Sequence, residues 1–230
     1  MTYYPEHRVC REIDSKNKLS LKDLTCLPNK QMELEHGKYY HIYNRGNNRE
    51  NLFYEERNYE YFLKQYMKHI VPIAETFAYC LLKNHFHIMV RIKDEDTIRL
   101  DKSERFDKSQ RLVKSGIVTN RFKNFFISYA KAINKAYGRT GALFQRPFGR
   151  REVASDEYFA RLVHYIHFNP QKHRFVKNFR MYPYSSYPII VSGQPGIVER
   201  NKVLEWFGGI DAFVEFHNEM TDEKTISDLI

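Results

Sequence analysis

A chain of 230 residues with 42% apolar side chains, including 17 Tyr and 17 Phe, can build one substantial core with appendages or two small domains. No uninterrupted apolar run reaches 18 residues and the N-terminus has no hydrophobic secretory segment, so neither a membrane span nor a membrane partner is expected. The formal net charge of +9 suits a polyanion, most simply nucleic acid, or else serves solubility, and three widely spaced cysteines (Cys10, Cys26, Cys80) suit a reduced, cytoplasmic protein without zinc-knuckle spacing.

Residues 1–36 mix charges with short apolar pieces and read as an N-terminal extension that packs onto the domain rather than founding it. Lys38 to Asn44 is aromatic and strand-like, runs into an Asn/Gly turn, and leaves Arg45 at its mouth. Tyr59, Phe62, Leu63, Tyr66, Met67 and Ile70 recur at helical spacing until Pro72 stops them. Ile73 to Leu82 is again strand-like, and Lys83-Asn84 turns it back into His85 to Ile92, making a hairpin. Strand, helix, strand, strand opens a ferredoxin-like sheet.

Asp94 to Gln110 is charged and reads as a solvated linker into the longest helix, whose stripe runs Phe122, Phe125, Phe126, Tyr129, Ala130, Ile133, Ala136 and Tyr137 and ends at Gly138 and Gly141. Leu143 to Val153 has room for a short strand and gathers Arg146, Arg150 and Arg151. Ser155-Asp156 starts another helix with Phe159, Leu162, Val163 and Ile166 buried, ending before or near Pro170. Tyr182 to Tyr187 is a compact aromatic turn, Pro188 to Pro195 reads as loop or short strand, and two short helices flank Gly208-Gly209. The domain organisation expected is 1–36 extension, 37–190 main domain and 191–230 helical appendage.

Within the His85 to Ile92 strand, period-two alternation puts Phe86, Ile88, Val90 and Ile92 on one face and His85, His87, Met89 and Arg91 on the other. The two imidazoles then lie roughly 6 to 7 Å apart on one face. That spacing suits two ligands converging on one divalent metal, or a pair of surface or hydrogen-bonded histidines. Further along, Tyr165 and Asn169 share a helix face about 6 Å apart. Asn169, at the helix end, either caps backbone or reaches a metal, and Tyr165 is either a partly buried packing residue or a nucleophile. A tyrosine hydroxyl, with a free pKa near 10, needs a metal or base to attack. For a basic protein the fitting electrophile is a phosphodiester, and attack on it leaves a covalent phosphotyrosine that preserves the energy of the broken bond. His164, His167 and His173 are read as surface or phosphate-facing, and one of Tyr39, Tyr40 and Tyr43 as a stacking surface for an unpaired base.

Tyr39 to Arg49, Leu82-Lys-Asn-His85-Phe-His87-Ile-Met-Val, Leu143-Phe-Gln-Arg-Pro-Phe and Tyr165-Ile-His-Phe-Asn169-Pro-Gln-Lys-His, in that order, resemble the IS200/IS605-type transposases with one catalytic tyrosine. With Tyr182-Pro-Tyr-Ser-Ser-Tyr187 added, the chain is similar to the REP-associated tyrosine transposase branch over about Lys38 to Tyr187. The resemblance implies an α+β fold: a ferredoxin-like antiparallel sheet with helices on one face, the histidine pair on a central strand, and extra C-terminal helices. It implies a metal-dependent single-strand DNA endonuclease and strand transferase, acting through a 5′-phosphotyrosine on hairpin-forming DNA, as monomer or homodimer. Carried over, Tyr165 is the nucleophile, His85 and His87 bind Mg²⁺ or Mn²⁺, and Asn169 resembles the third ligand. Lys83 stands where a proline is common, which alters the turn or adds a phosphate contact. Arg45, Lys83, Arg146, Arg150 and Arg151 are the candidate DNA contacts. The competing functions are a ferredoxin-like nucleic-acid-binding module without chemistry, and a metal hydrolase of small phosphoesters that would not need the basic surface.

Overall fold

The computed structural model describes residues 33–98 and 114–219. Most of the expected N-terminal extension and of the charged linker after Asp94 lies outside the described residues. Strands β1 (Tyr39–Arg45), β2 (Ala74–Leu82), β3 (His85–Ile92) and β4 (Gly149–Val153) form one antiparallel sheet in the order β2-β3-β1-β4. Helix α1 (Glu56–His69) joins β1 to β2, and α2 (Lys114–Ala136) lies between β3 and β4. This is the ferredoxin-like arrangement expected from the sequence, with β1 and β3 central.

Burial follows the two periodicities. Phe86, Ile88, Val90 and Ile92 of β3 and Tyr40 and Ile42 of β1 join Phe62 and Tyr66 of α1 and Phe122, Phe125, Tyr129 and Ile133 of α2 in one core. At about 1.5–3 kcal/mol for each large side chain fully buried, this aromatic layer is the main cohesive term on that face. Leu34 is buried in the same core, so the last residues before β1 do pack onto the sheet.

The expectation of helices on one face needs a correction. Helices α1 and α2 share a face, but α3 (Asp156–Lys172) covers the other, where Phe159, Leu162, Val163 and Ile166 pack with Phe77, Cys80, Leu82, Met89 and Val153. The reason is the composition of β2. Its residues are buried on both sides, and a bulge between Thr76 and Ala78 turns both Phe77 and Ala78 toward α3, so the second face is too apolar to meet water.

The aromatic turn closes an edge. Strand β2 is terminal in the sheet, and its free side is met by Leu81 N–H donating to Tyr184 O (2.9 Å), Tyr182 Oη donating to Leu81 O (2.8 Å) and Tyr79 N–H donating to Ser186 Oγ (2.9 Å). Tyr184 stacks on Tyr59 of α1 at 3.6 Å between centroids. Without such cover a long apolar edge strand would offer its backbone to other chains.

The segment from Pro188, expected as loop or strand, is instead helix α4 (Ser186–Ser192). Pro188 sits in its first turn, where backbone N–H groups have no intrahelical partner to lose. Helices α5 (Arg200–Phe207) and α6 (Ile210–Glu219) flank Gly208-Gly209 as expected, and Val203 and Phe213 are buried in the α3 core. Among the described residues no helix is long and apolar enough to cross a membrane.

A buried polar chain ties α6 through α3 to β2. His217 Nδ1 faces Phe213 O (2.8 Å), His217 Nε2 faces His167 Nδ1 (2.9 Å), and His167 Nε2 faces Ser186 Oγ (2.7 Å). A carbonyl only accepts and the Tyr79 N–H only donates, so the hydrogens are fixed throughout. His217 donates from Nδ1, His167 donates from Nδ1 to His217 Nε2, and the Ser186 hydroxyl donates to His167 Nε2. This works only while both rings are neutral. Thus His164 and His167, expected at the surface, are fully buried, because α6 covers the outer side of α3.

Burial, with Arg180 nearby, lowers the His164 pKa to about 4, and burial, with His164 nearby, lowers that of His217 to about 3, from 6.5. The unfolded chain therefore binds more protons between those values and 6.5, so stability is complete above about pH 7 and falls as the solution is acidified. Each ring is expected to remove roughly 2 kcal/mol by pH 5, seen as a lower urea midpoint. His164 has both ring nitrogens buried without hydrogen-bond partners. His164→Leu should therefore raise stability at neutral pH by about 1 kcal/mol and shallow the acid slope; an unchanged slope would contradict this reading.

Candidate active site

The face under α3 is where the sequence's candidate residues meet. His85 and His87 project from β3 and His41 and Tyr43 from β1, with Tyr43 opposite His87 and Arg45 opposite His85 in the register. His85 and His87 have centroids 5.3 Å apart, and His41 and His87 lie edge to edge with centroids 5.1 Å apart. His85 Nδ1 donates to Asn84 Oδ1 (2.7 Å), an acceptor only, so its Nε2 carries the lone pair. His87 Nδ1 is 2.9 Å from His41 Nε2. Both candidate ligands thus have Nδ1 engaged and Nε2 left over, the usual arrangement of a ligating imidazole.

The imidazoles are neutral. Burial, with His173 and Arg45 adding positive charge, lowers His85 to about 3. Burial and Arg151 lower His41 to about 3, and burial and His41 hold His87 well below its ordinary 6.5.

Helix α3 starts at the expected cap, Ser155 Oγ accepting from Tyr158 N–H (3.2 Å). It lays Tyr165 across the histidines, the ring edge-on to His87 at 5.4 Å and to His41 at 6.2 Å. Tyr165 is 3% exposed. Burial raises its pKa, and the Asn169 side chain works in the opposite direction. Lys172 Nζ lies 5.2 Å from the centre of the Tyr165 ring.

The helix does not end at Asn169. It passes through Pro170 to Lys172, so Asn169 is an interior, fully buried residue. Its amide Nδ2 donates to Tyr165 O (2.7 Å), while Oδ1 is buried with no hydrogen-bond partner. A buried amide oxygen without a donor costs about 1–3 kcal/mol, and this orphan stands on the same helix face as Tyr165.

The candidate arginines divide. Strand alternation puts Arg151 opposite His41, on the histidine face, and Arg150 opposite Ile42, on the other, where its guanidinium lies 4.9 Å from the Phe148 ring centre. Arg45 is exposed at the mouth of β1 beside His85, Lys83 is exposed in the β2–β3 turn, and Arg146 is exposed ahead of β4. The structure therefore gathers Arg45 and Arg151 with His85, His87 and Tyr165, and leaves Arg150 apart.

Two neighbours were not singled out in the sequence. His41 was legible in principle, since it alternates with Tyr39 and Tyr43 in the first strand. His173, read as surface or phosphate-facing, caps the end of α3 and reaches His85 at 4.8 Å between centroids; the i, i+4, i+8 spacing of Tyr165, Asn169 and His173 carries that signal. Of the three first-strand tyrosines, Tyr40 is buried in the core and Tyr43 is exposed on the histidine face.

A four-stranded antiparallel sheet whose central histidine pair is overlaid by a helix tyrosine defines a class of fold. It is the fold of the single-tyrosine transposases, as the sequence motifs implied. A solved structure described as a REP-associated tyrosine transposase bound to a REP hairpin superposes with a TM-score of 0.52 at 18% identity, covering 75% of this chain and 90% of that one. A putative REP-associated tyrosine transposase of Haemophilus influenzae is 25% identical over 116 residues, 49% of this chain, and the match spans 58% of that relative's length. No protein-family model matches the chain. Both similarities fall on the branch that the motifs resembled.

Gly149 packs flat against Tyr43, and a Cβ there would stand 2.2 Å from the ring. Gly149→Ala must therefore push Tyr43 off His41 and His87, at a cost of about 1–3 kcal/mol by urea unfolding. A variant as stable as the parent would show that the ring has room to move.

Proposed function

We propose that the protein cleaves and rejoins single-stranded DNA beside a hairpin, with Tyr165 as nucleophile. The observation that carries this reading is the placement of Tyr165 over the sheet face of its own chain that bears His85 and His87, its ring 5.4 Å from that of His87. The tyrosine and the histidines come from the same chain, so one copy would suffice and a monomer would be competent.

The sequence resemblance implies Mg²⁺ or Mn²⁺, and the Asn169 amide oxygen is the donor here of the type those ions prefer. Among the described residues no three His, Cys, Asp or Glu side chains converge as a metal site. A cation here would thus be held by His85 Nε2, His87 Nε2 and the orphaned Asn169 Oδ1. Bound there, it supplies Lewis-acid polarisation of a phosphodiester and favours loss of the phenol proton. Tyr165 Oη forms the new bond to phosphorus, the P–O3′ bond breaks, and the proton lost by the phenol is matched by one gained at the leaving 3′-oxygen. The 5′-phosphotyrosine keeps the ester, so the reverse step rejoins strands, which attack by water would not allow.

Arg45 and Arg151 are the proposed backbone contacts nearest the reacting phosphate, with Lys83 and Arg146 farther out. Arg150 would act only on DNA that wraps around β4. Tyr43, exposed beside the histidines, is the proposed surface for an unpaired base. The solved relative's hairpin supports a hairpin-bearing substrate for this chain.

Mixing the protein with hairpin-bearing single-stranded DNA and Mn²⁺ should give a covalent complex that survives a denaturing gel. Tyr165→Phe should reduce it below detection while hairpin affinity stays within roughly twofold, the scale of a change that removes no contact. EDTA should have the same effect on the adduct. Persistence of the adduct in Tyr165→Phe would remove Tyr165 from the mechanism, and persistence in EDTA would remove the cation.

A further inference from the structure

The pair His41–His87 holds one hydrogen between two ring nitrogens 2.9 Å apart. With both rings neutral, only two arrangements exist. Either His87 Nδ1 donates to His41 Nε2, leaving a lone pair on His87 Nε2, or His41 donates and His87 carries its hydrogen on Nε2. Only the first leaves His87 able to bind a cation. The neighbouring histidine shows the same solution, since His85 spends its Nδ1 hydrogen on Asn84.

The fold leaves His41 little freedom to turn away from His87. It sits on the adjacent central strand, opposite Met89 and diagonal to His87. Its ring lies edge to edge with that of His87, 25° between planes, bounded by Tyr43 at 4.8 Å and Tyr165 at 6.2 Å. A ring packed on these sides keeps its Nε2 toward His87 with no swing to another partner.

We infer that His41 is a positioning residue: it accepts the Nδ1 hydrogen of His87 and so holds His87 in the tautomer whose Nε2 is free to bind a divalent cation. This rests on the reading of His85 and His87 as ligands. It adds a residue that touches neither the cation nor the DNA, but decides whether one of the ligands is competent.

The test reads tautomer and affinity separately. Long-range ¹⁵N–¹H correlation on the metal-free protein should find His87 protonated at Nδ1 and bare at Nε2. Mn²⁺ titrated calorimetrically should bind about 10- to 100-fold more weakly to His41→Leu, the usual effect of removing such a partner. His41→Gln, whose side-chain oxygen reaches the position of Nε2, should recover most of that loss. A His87 protonated at Nε2 in the wild-type protein, or His41→Leu binding Mn²⁺ as tightly as wild type, would overturn the inference. Equal weakening in the Leu and Gln variants would reduce His41 to a packing role and overturn it as well. Wild-type protein that binds no Mn²⁺ while His87 keeps its Nδ1 hydrogen would instead overturn the cation reading and support the tautomer assignment.

Discussion

The structure depends on α3 lying across the second face of the sheet. In a strand, alternate residues face opposite ways, so the same β1 and β3 that bury Tyr40, Ile42, Phe86 and Ile88 against α1 and α2 must present His41, Tyr43, His85 and His87 on the reverse. Exposed to water, those imidazoles would titrate near neutrality and move freely. Under α3 they lose water, become neutral and pair with one another and with Asn84. One packing contact thus builds the candidate site and brings Tyr165 to it.

A single helix on a sheet face is a weak cover, and the C-terminal third of the chain strengthens it. Tyr182 to Ser186 binds the open edge of β2, and α5 and α6 pack Val203 and Phe213 into the core beneath α3. The chain Phe213–His217–His167–Ser186–Tyr79 runs from α6 through α3 to β2, with every hydrogen assigned. A buried polar chain that is fully satisfied specifies one arrangement of its elements, because each alternative leaves a nitrogen or carbonyl unpaired. The aromatic turn and the short helices after it therefore act on the site through the helix they hold.

Much of this was legible in the sequence because it follows from local periodicity. The alternation of Phe86 to Ile92, the helical stripe of Phe122 to Tyr137 and the Ser155 cap each depend on a few consecutive residues. What was not legible depends on contacts distant in sequence. His164 and His167 read as surface residues because α3 alone has a polar side there; only α6, some 50 residues on, buries it. Arg150 and Arg151 read as one basic group, but adjacent strand positions face apart, so the pair is split by the pleat. Pro170 read as a helix limit and Pro188 as the start of a loop or strand, yet α3 runs on through the one and a first turn tolerates the other.

The burial that prepares the imidazoles also restrains the tyrosine. Loss of water disfavours charge on either group, which makes a histidine a better ligand and a phenol a poorer nucleophile. Tyr165 is accordingly raised while His85, His41 and His87 are lowered, all chiefly by the same helix-on-sheet contact. On the proposed reading a cation held beside the neutral rings would reconcile the two effects, since it would favour the phenolate that burial disfavours. On that reading packing would disfavour attack in the resting protein, and the neutral histidines are the groups that would hold the cation.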